Sequence, residues 1–161
     1  MKRREYEITN MSEILTILDR SKIIHIALCD EDQPYVLPMN YGYVYENDTL
    51  TFYLHGAKEG YKYDLIKKNP KISFALECDT IPFDGKVACQ YGMSYSSIFG
   101  KGFATIIEDV QEKATALTIL MKTQTGQDFE FNDKLVSIVN VIKVTVTDFT
   151  AKKRPIPGDG M

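Results

Sequence analysis

The sequence predicts a mainly β, α+β fold in which an antiparallel, closed or nearly closed sheet carries helices on its outside. Six or so short segments alternate apolar and polar residues and are rich in Ile, Val, Tyr, Phe and Thr, which is the pattern of half-buried strands. The regular strand–helix alternation of a parallel sheet is absent. With 161 residues, 44% of them apolar, the chain can bury one sizeable core, so a single domain over residues 1–161 is expected.

The first predicted element is a short helix in "TNMSEILTILDRSK". Asn10 followed three residues later by Glu13 is the pattern of a capping box, and four apolar residues follow at helical spacing. The next stretch, "IIHIALCDEDQPYVLPMNYGYVYENDTLTFYLHG", alternates between turn signals at residues 30–33 and 46–48. It predicts three strands in an antiparallel meander.

A second short helix is expected in "KEGYKYDLIKKN", starting near Glu59, with Tyr61, Leu65 and Ile66 on its apolar face. It must end at Asn69 because a proline follows. The strand "KISFALEC" comes next, and residues 79–94 show no clear pattern.

Three further elements complete the chain. The strand "SSIFGKGFATIIEDV" contains Gly100 and Gly102, which indicate a bulge or a close approach of main chain. The helix "VQEKATALTILMKTQTG" should stop at Gly126. A last strand alternates cleanly over residues 139–149.

Composition excludes several functional classes. A net charge of −3 argues against a general nucleic-acid binder, and the charged N-terminus has neither a signal peptide nor a membrane anchor, so a cytoplasmic protein is expected. The cysteines, Cys29, Cys78 and Cys89, form no CxxC, which fits reduced thiols. With only two histidines the chain offers no metal-ligand cluster, and His25 is interpreted as a packing or surface residue.

Motifs for unaided catalysis are also missing. There is no GxSxG, since Gly92-Met93-Ser94 lacks the second glycine, and neither a Walker nor a Rossmann glycine pattern occurs. The sequence therefore predicts either a borrowed cofactor or a plain binding role.

The segment "LTFYLHGAKEGYKYDLIKKNPKISFAL", residues 50–76, is the best candidate for an anion site. Gly56 and Gly60 allow close approach of main chain, and the following helix begins beside Lys58 and Lys62. The alternative is that the lysines are solvated and the glycines only turn the chain, and the residues taken alone favour it.

Three blocks in order resemble a known family: "QPYVLPMNYGY", the segment just quoted, and "CQYGMSYSSIFGKGFATIIEDVQEKATALTILM". Together they are similar to the FMN-binding split-barrel proteins related to pyridoxamine 5'-phosphate oxidase, in the branch that includes nitroimidazole-resistance proteins. The resemblance implies a six-stranded antiparallel Greek-key split barrel with flanking helices. It also implies a homodimer with FMN at the subunit interface, to which Tyr41, Tyr95 and Phe99 are candidate contributors.

The resemblance carries over to particular positions. It implies that one strand lines the flavin ring, that another strand end approaches it, that Lys62 reaches the phosphate, and that two serines close over the phosphate or ribityl region. The implied cofactor-binding residues are Val36, Leu37, Pro38, Met39, Asn40, Tyr41, His55, Gly56, Ala57, Lys62, Ser96 and Ser97. No residue is expected to bind a metal.

The chain departs from the oxidases themselves. Gln33-Pro34 and Met39 stand where those enzymes have an arginine and a lysine, and "KKRPIPGDGM" replaces their C-terminal substrate motif. Oxidation of pyridoxamine phosphate is therefore not expected.

Two functions remain open at this point. One is an FMN-dependent reductase of a small acceptor, with nitro compounds as candidates, NAD(P)H or another reductant as electron donor, and His55 as the catalytic proton donor. The other is a non-enzymatic flavin or haem binder in which His55 could be an axial ligand. A purely structural His55, bonded to a neighbouring carbonyl, is the alternative for that residue.

Overall fold

A computed structural model describes residues 4–158 of the chain. The strands are β1 (Glu7–Ile8), β2 (Ile23–Asp30), β3 (Gln33–Glu46), β4 (Thr49–Ala57), β5 (Lys71–Phe83), β6 (Gly92–Ile107) and β7 (Val139–Arg154). The helices are α1 (Met11–Arg20), α2 (Tyr61–Lys68), α3 (Val110–Thr125) and α4 (Asp133–Ser137). None of the helices in these residues is long and apolar enough to cross a membrane.

Six strands form a closed antiparallel ring. Their order is β7–β4–β3–β2–β5–β6, and β6 pairs back with β7, so the ring has no free outer strand. The short β1 pairs with the far end of β7. This arrangement confirms the predicted six-stranded antiparallel split-barrel fold with flanking helices.

The interior of the ring is filled by side chains at alternate strand positions. Tyr41, Phe52 and Phe74 form an edge-to-face series with ring centroids 5.3 and 5.0 Å apart. Such geometry is favoured by the quadrupoles of aromatic rings. The aromatic series ties β3, β4 and β5 into one core.

The helices close over this core. Asn10 caps α1, as predicted, because its side-chain oxygen accepts from the Ser12 N–H at 2.9 Å. Helix α2 packs against β2 and β6 and buries Leu65 and Ile66. Helix α3 ends at Gly126, also as predicted, in the left-handed conformation with φ 74°.

Close contact between α3 and the sheet depends on a glycine that the sequence pattern did not single out. A Cβ at Gly42 of β3 would collide with the main chain of Leu120 in α3. The predicted irregularity at the other glycines is confirmed, because the β6–β7 register shifts between Lys101 and Gly102. A Cβ at Gly102 would collide with the Thr145 carbonyl oxygen.

The structure corrects several boundaries. Helix α2 begins at Tyr61 rather than near Glu59, since Gly60 has φ 152°, far from helical values. Strands β5 and β6 continue through much of the stretch without a pattern, past a register shift beside Asp79 (φ 57°). Main-chain hydrogen bonds between β5 and β6 hold these segments as strands, although their residues do not alternate between apolar and polar. The short β1 and α4 were not predicted.

Candidate functional site

The site is built around a gap between β3 and β4. Their pairing ends at Tyr41 and Leu54. Beyond that point β3 pairs with β2 over residues 33–40, whereas β4 pairs with β7 through Ala57. Among the described residues, the main-chain edge of β3 that faces away from β2 has no strand partner there, so its N–H and C=O groups can bond to a ligand.

Two glycines and a lysine form a small cradle beside this gap. A Cβ built on Gly56 would lie 3.0 Å from Cε and 3.1 Å from Nζ of Lys62. A Cβ on Gly60 would lie 3.2 Å from the same Nζ. A Cβ at either glycine would crowd the ammonium group, and at Gly60 the φ of 152° also disfavours any side chain, so the lysine could keep this position only with glycine at both places.

Tyr63 forms the floor of the cradle. Its side chain is buried, with 4% of the residue exposed, and its hydroxyl has no hydrogen-bond partner among the described residues. The same hydroxyl lies 2.8 Å from the position of a Gly56 Cβ, and Lys62 Nζ lies 4.5 Å from the centroid of the Tyr63 ring. Burial raises the pKa of Tyr63, which keeps the hydroxyl protonated as a donor.

The first turn of α2 completes the cradle. Gly60 caps the helix without a side-chain hydrogen bond, and the Tyr63 N–H donates to the Gly60 carbonyl at 3.0 Å, so the earlier N–H groups of this turn are the ones left to water or a ligand. The preceding loop is fixed by Asn140, whose Nδ2 donates to the Lys58 carbonyl at 2.6 Å. A helix N-terminus with a lysine and an uncompensated hydroxyl is a suitable environment for an anion.

His55 lies on the opposite side of β4 from this cradle. Successive residues of a strand face opposite ways, so His55 and Gly56 cannot face the same side. The His55 ring is half-buried, and its Nδ1 is buried without a partner among residues 4–158. Burial lowers the pKa of His55, so the neutral imidazole predominates at neutral pH.

The predicted ring-contacting strand shows two kinds of residue. Val36, Pro38 and Asn40 are exposed, whereas Met39 and Tyr41 point into the core and Leu37 is half-buried. The Asn40 amide donates to the Lys22 carbonyl at 3.3 Å and contacts Gln124 Oε1 at 3.4 Å. Its side chain is thus turned toward α3.

The structure corrects the role given to the Tyr41 side chain. That side chain is fully buried, and its hydroxyl donates to the Leu18 carbonyl at 2.7 Å. It therefore serves the core, and the Tyr41 main-chain carbonyl at the gap accepts a hydrogen bond from Gln124 Nε2 at 2.7 Å. A contribution of its ring to a subunit interface is excluded by the same burial.

Ser96 and Ser97 lie far from the cradle within one chain. They pair with Lys153 and Lys152 near the start of β6, ten residues before Ile107. Ile107 pairs with Val141, the neighbour of His55 on β7, so the serines stand roughly 30 Å away along the strand. Ser96 is also buried, with 3% exposed. Their contact with the Lys62 cradle stays a prediction that needs a second copy of the chain.

Sequence reasoning brought Gly56, Gly60 and Lys62 together but missed Tyr63. The expected apolar face of α2 included Tyr61, which is instead exposed, edge-on to Tyr35 and hydrogen-bonded to Asp30. In this helix of eight residues the two tyrosines, two positions apart, point in nearly opposite directions, so which of them is buried depends on how the whole helix is oriented against the sheet. The sequence did contain a signal for Tyr63: it lies three residues before Ile66, and residues with that spacing share one face of a helix.

Comparison with known proteins adds two matches that cover most of the chain. Residues 10–153 match the model of the family described as pyridoxamine 5'-phosphate oxidase. A solved structure from Bacteroides thetaiotaomicron VPI-5482, provisionally called a 5-nitroimidazole antibiotic resistance protein, is 32% identical. The match covers 91% of this chain and 86% of that one, with a TM-score of 0.76. These matches confirm the resemblance found in the sequence.

Two more distant structures share the fold. The flavocytochrome Anf3 from Azotobacter vinelandii is 17% identical over 98% of this chain and 73% of that one, with a TM-score of 0.78. An FAD and heme binding protein from Mycobacterium smegmatis is 14% identical over 96% and 77%, with a TM-score of 0.80. No curated protein matches the chain.

Proposed function

This chain belongs to the pyridoxamine 5'-phosphate oxidase family, and we propose that it is an FMN-binding flavoprotein that reduces a small acceptor. The observation that carries the proposal is the cradle of Gly56, Gly60, Lys62 and Tyr63 beside the gap between β3 and β4. It combines a cation, a helix N-terminus and an unpaired buried hydroxyl in a space that a single Cβ would fill.

These residues fit the phosphate end of a flavin nucleotide. Phosphate accepts several hydrogen bonds and carries negative charge, which the Lys62 ammonium and the first turn of α2 would compensate. The free edge of β3 beside Val36 and Pro38 offers main-chain groups to a planar polar ring, and those two exposed side chains offer apolar contact. The donor set therefore suits both ends of FMN.

Bound FMN would carry the electrons to the acceptor, a task for which the amino-acid side chains offer no suitable group. The chain's residues would bind the phosphate, exclude water from one ring face and hold a proton for the acceptor. His55, half-buried beside the gap with Nδ1 unpaired, is the candidate proton donor: it would take a proton from solvent, give it to the acceptor as the imidazolium, and return to the neutral imidazole that burial favours. NAD(P)H is the proposed electron donor, by the general practice of flavin reductases.

A homodimer would complete the site. Ser97 cannot reach Lys62 within one chain, but a second copy could place its β6 against the gap. Phe99 and Phe103 on β6 are 52% and 45% exposed, which supports a partner covering this strand. Tyr95 and Phe99 remain the candidate contributors to the interface.

The acceptor is proposed to be a small nitro compound, because the similar protein from Bacteroides carries a nitroimidazole-resistance name. Oxidation of pyridoxamine phosphate is not proposed. Gln33 and Pro34 lie at the start of β3 without the cationic side chains that would hold a second phosphate there.

Haem binding is the second candidate function, and one observation favours it. A neutral histidine with an unpaired ring nitrogen is the usual axial ligand of haem iron, and His55 meets that description. One of the distant structures is named as an FAD and heme binding protein and the other as a flavocytochrome, though they share only the fold. In this reading the protein would store or sense its cofactor without turnover.

An absorption spectrum of the purified protein separates these candidates. Two visible flavin bands that remain with the protein on gel filtration would support the proposal, and a Soret band would support haem. Stripped protein should then be titrated with FMN, riboflavin and haemin. A colourless protein that binds none of the three would refute both functions. Anaerobic turnover of a nitro-compound panel with NAD(P)H tests the reductase activity itself.

A further inference from the structure

The Lys62 side chain occupies the cradle in which the proposed phosphate would bind. Its Nζ lies against both Gly56 and Gly60, and it stands over the face of Tyr63 at 4.5 Å from the ring centroid. That position gives the ammonium a cation–π contact in place of an anion. Lys62 itself is only half-buried, so its tail can move into solvent.

The hydroxyl of Tyr63 is buried, and it lies near the end of this lysine side chain, on the Gly56 side of the cradle. It has no partner among the described residues, and the nearest atoms to a Gly56 Cβ are this oxygen and the end of Lys62. Buried hydroxyls are normally paired, and a phenylalanine would fill the same volume without leaving one unpaired. An unpaired donor that faces the cradle therefore indicates a ligand acceptor.

We propose that the Tyr63 hydroxyl is a second phosphate donor of the cofactor site, covered by the Lys62 ammonium until the phosphate of FMN displaces it. The inference rests on the proposed FMN site and adds a residue to it. When the phosphate enters, the ammonium leaves the ring face and pairs with a phosphate oxygen. The hydroxyl is uncovered and donates to a second oxygen. Its pKa, raised by burial, keeps the proton available.

Discrimination between flavins follows from this arrangement. Riboflavin has no phosphate, so it gains neither the lysine contact nor the tyrosine hydrogen bond. The lysine can remain over the Tyr63 ring when riboflavin binds, and the cradle stays closed. Tyr63 would thus act in the choice of FMN over riboflavin and have no part in holding the ring.

The test is Tyr63→Phe, which keeps the aromatic ring under Lys62 and removes only the oxygen. Kd values for FMN and riboflavin are measured on stripped protein by quenching of flavin fluorescence. Tyr61→Phe is the matched control, because Tyr61 lies on the same helix but is exposed and bonded to Asp30. Urea unfolding of the stripped variants is the second readout.

We expect Tyr63→Phe to raise the Kd of FMN about ten-fold, the usual effect of losing one hydrogen bond to a charged group, and to leave riboflavin unchanged. The stripped variant should be at least as stable as the parent, since an unpaired buried hydroxyl is removed. Tyr61→Phe should leave both Kd values unchanged.

An unchanged FMN affinity, or an equal loss for FMN and riboflavin, would overturn the role of Tyr63 while leaving the flavin site intact. A parent protein that binds neither flavin would overturn the proposed function before any variant is made. The two failures are therefore separated by the parent and variant titrations.

Discussion

The side-chain amide of Gln124, in the last turn of α3, donates a 2.7 Å hydrogen bond to the main-chain carbonyl of Tyr41, where the pairing of β3 with β4 ends. The same Nε2 donates to the Lys22 carbonyl at 3.2 Å. One glutamine therefore fastens α3 to the edge of the gap.

Gln124→Leu should lower the free energy of unfolding by about 1–3 kcal/mol, because the partly buried Tyr41 carbonyl oxygen loses its donor. Urea unfolding of the stripped protein measures this change. Gln111→Leu is the matched control on the same helix, since Gln111 is exposed. Equal effects of the two substitutions would contradict a specific role for Gln124.

Lys62→Ala should raise the Kd of FMN by about ten- to a hundred-fold, since a charge-assisted contact to phosphate is lost. The Kd of riboflavin, which has no phosphate, should stay nearly unchanged. Lys58→Ala is the control, because its exposed side chain precedes the helix and lies outside the glycine cradle. Equal weakening of FMN and riboflavin by Lys62→Ala would place the lysine away from the phosphate.

His55→Gln should keep FMN affinity within a few-fold while slowing acceptor reduction by about 10²- to 10⁴-fold, the usual contribution of a positioned proton donor. Stopped-flow oxidation of the reduced protein by a nitro acceptor measures the step. A variant that holds FMN and reduces each acceptor at the parent rate would show that His55 is structural and that water supplies the proton.

Stability should fall as the pH is lowered through the titration of His55. Burial lowers the pKa of His55 in the folded state, so the unfolded chain binds more protons below its ordinary value of 6.5. The contribution of neutral His55 to the free energy of unfolding is fully present above pH 6.5. It is lost progressively as the pH falls from 6.5 to the lower pKa of the folded state. The fall of the urea midpoint with pH in this window should become shallower in His55→Gln than in the parent. Parallel curves for parent and His55→Gln would contradict the assignment.

A homodimer is expected in solution when FMN is bound. Phe99→Lys should weaken assembly and FMN affinity together, because it charges an exposed apolar position on the β6 strand that also carries Ser97. Thr115→Lys, at an exposed position of α3 away from β6, is the control. Light scattering of the holoprotein is the measurement, and a stable monomer that retains FMN would refute the dimer.

The predictions that succeeded from sequence alone depend on local chemistry. Asn10 caps a helix because its side chain reaches an N–H only two residues on. Gly126 ends a helix because it tolerates a positive φ, and alternation along β2, β3 and β4 follows from the geometry of a strand. The blocks that identify the family are equally local, and they placed Gly56 and Lys62 at one site.

What the sequence determined about this protein is its longer elements, its antiparallel class, its family and the glycine–lysine segment, because each is set by neighbours along the chain. Only the tertiary structure decided which tyrosine of α2 is buried, where the pairing of β3 with β4 ends, and that Ser97 lies far from Lys62. These outcomes depend on the closure of β6 onto β7 and on how α2 rotates against β2 and β6. Both are set by packing between residues distant in sequence, which no local pattern encodes.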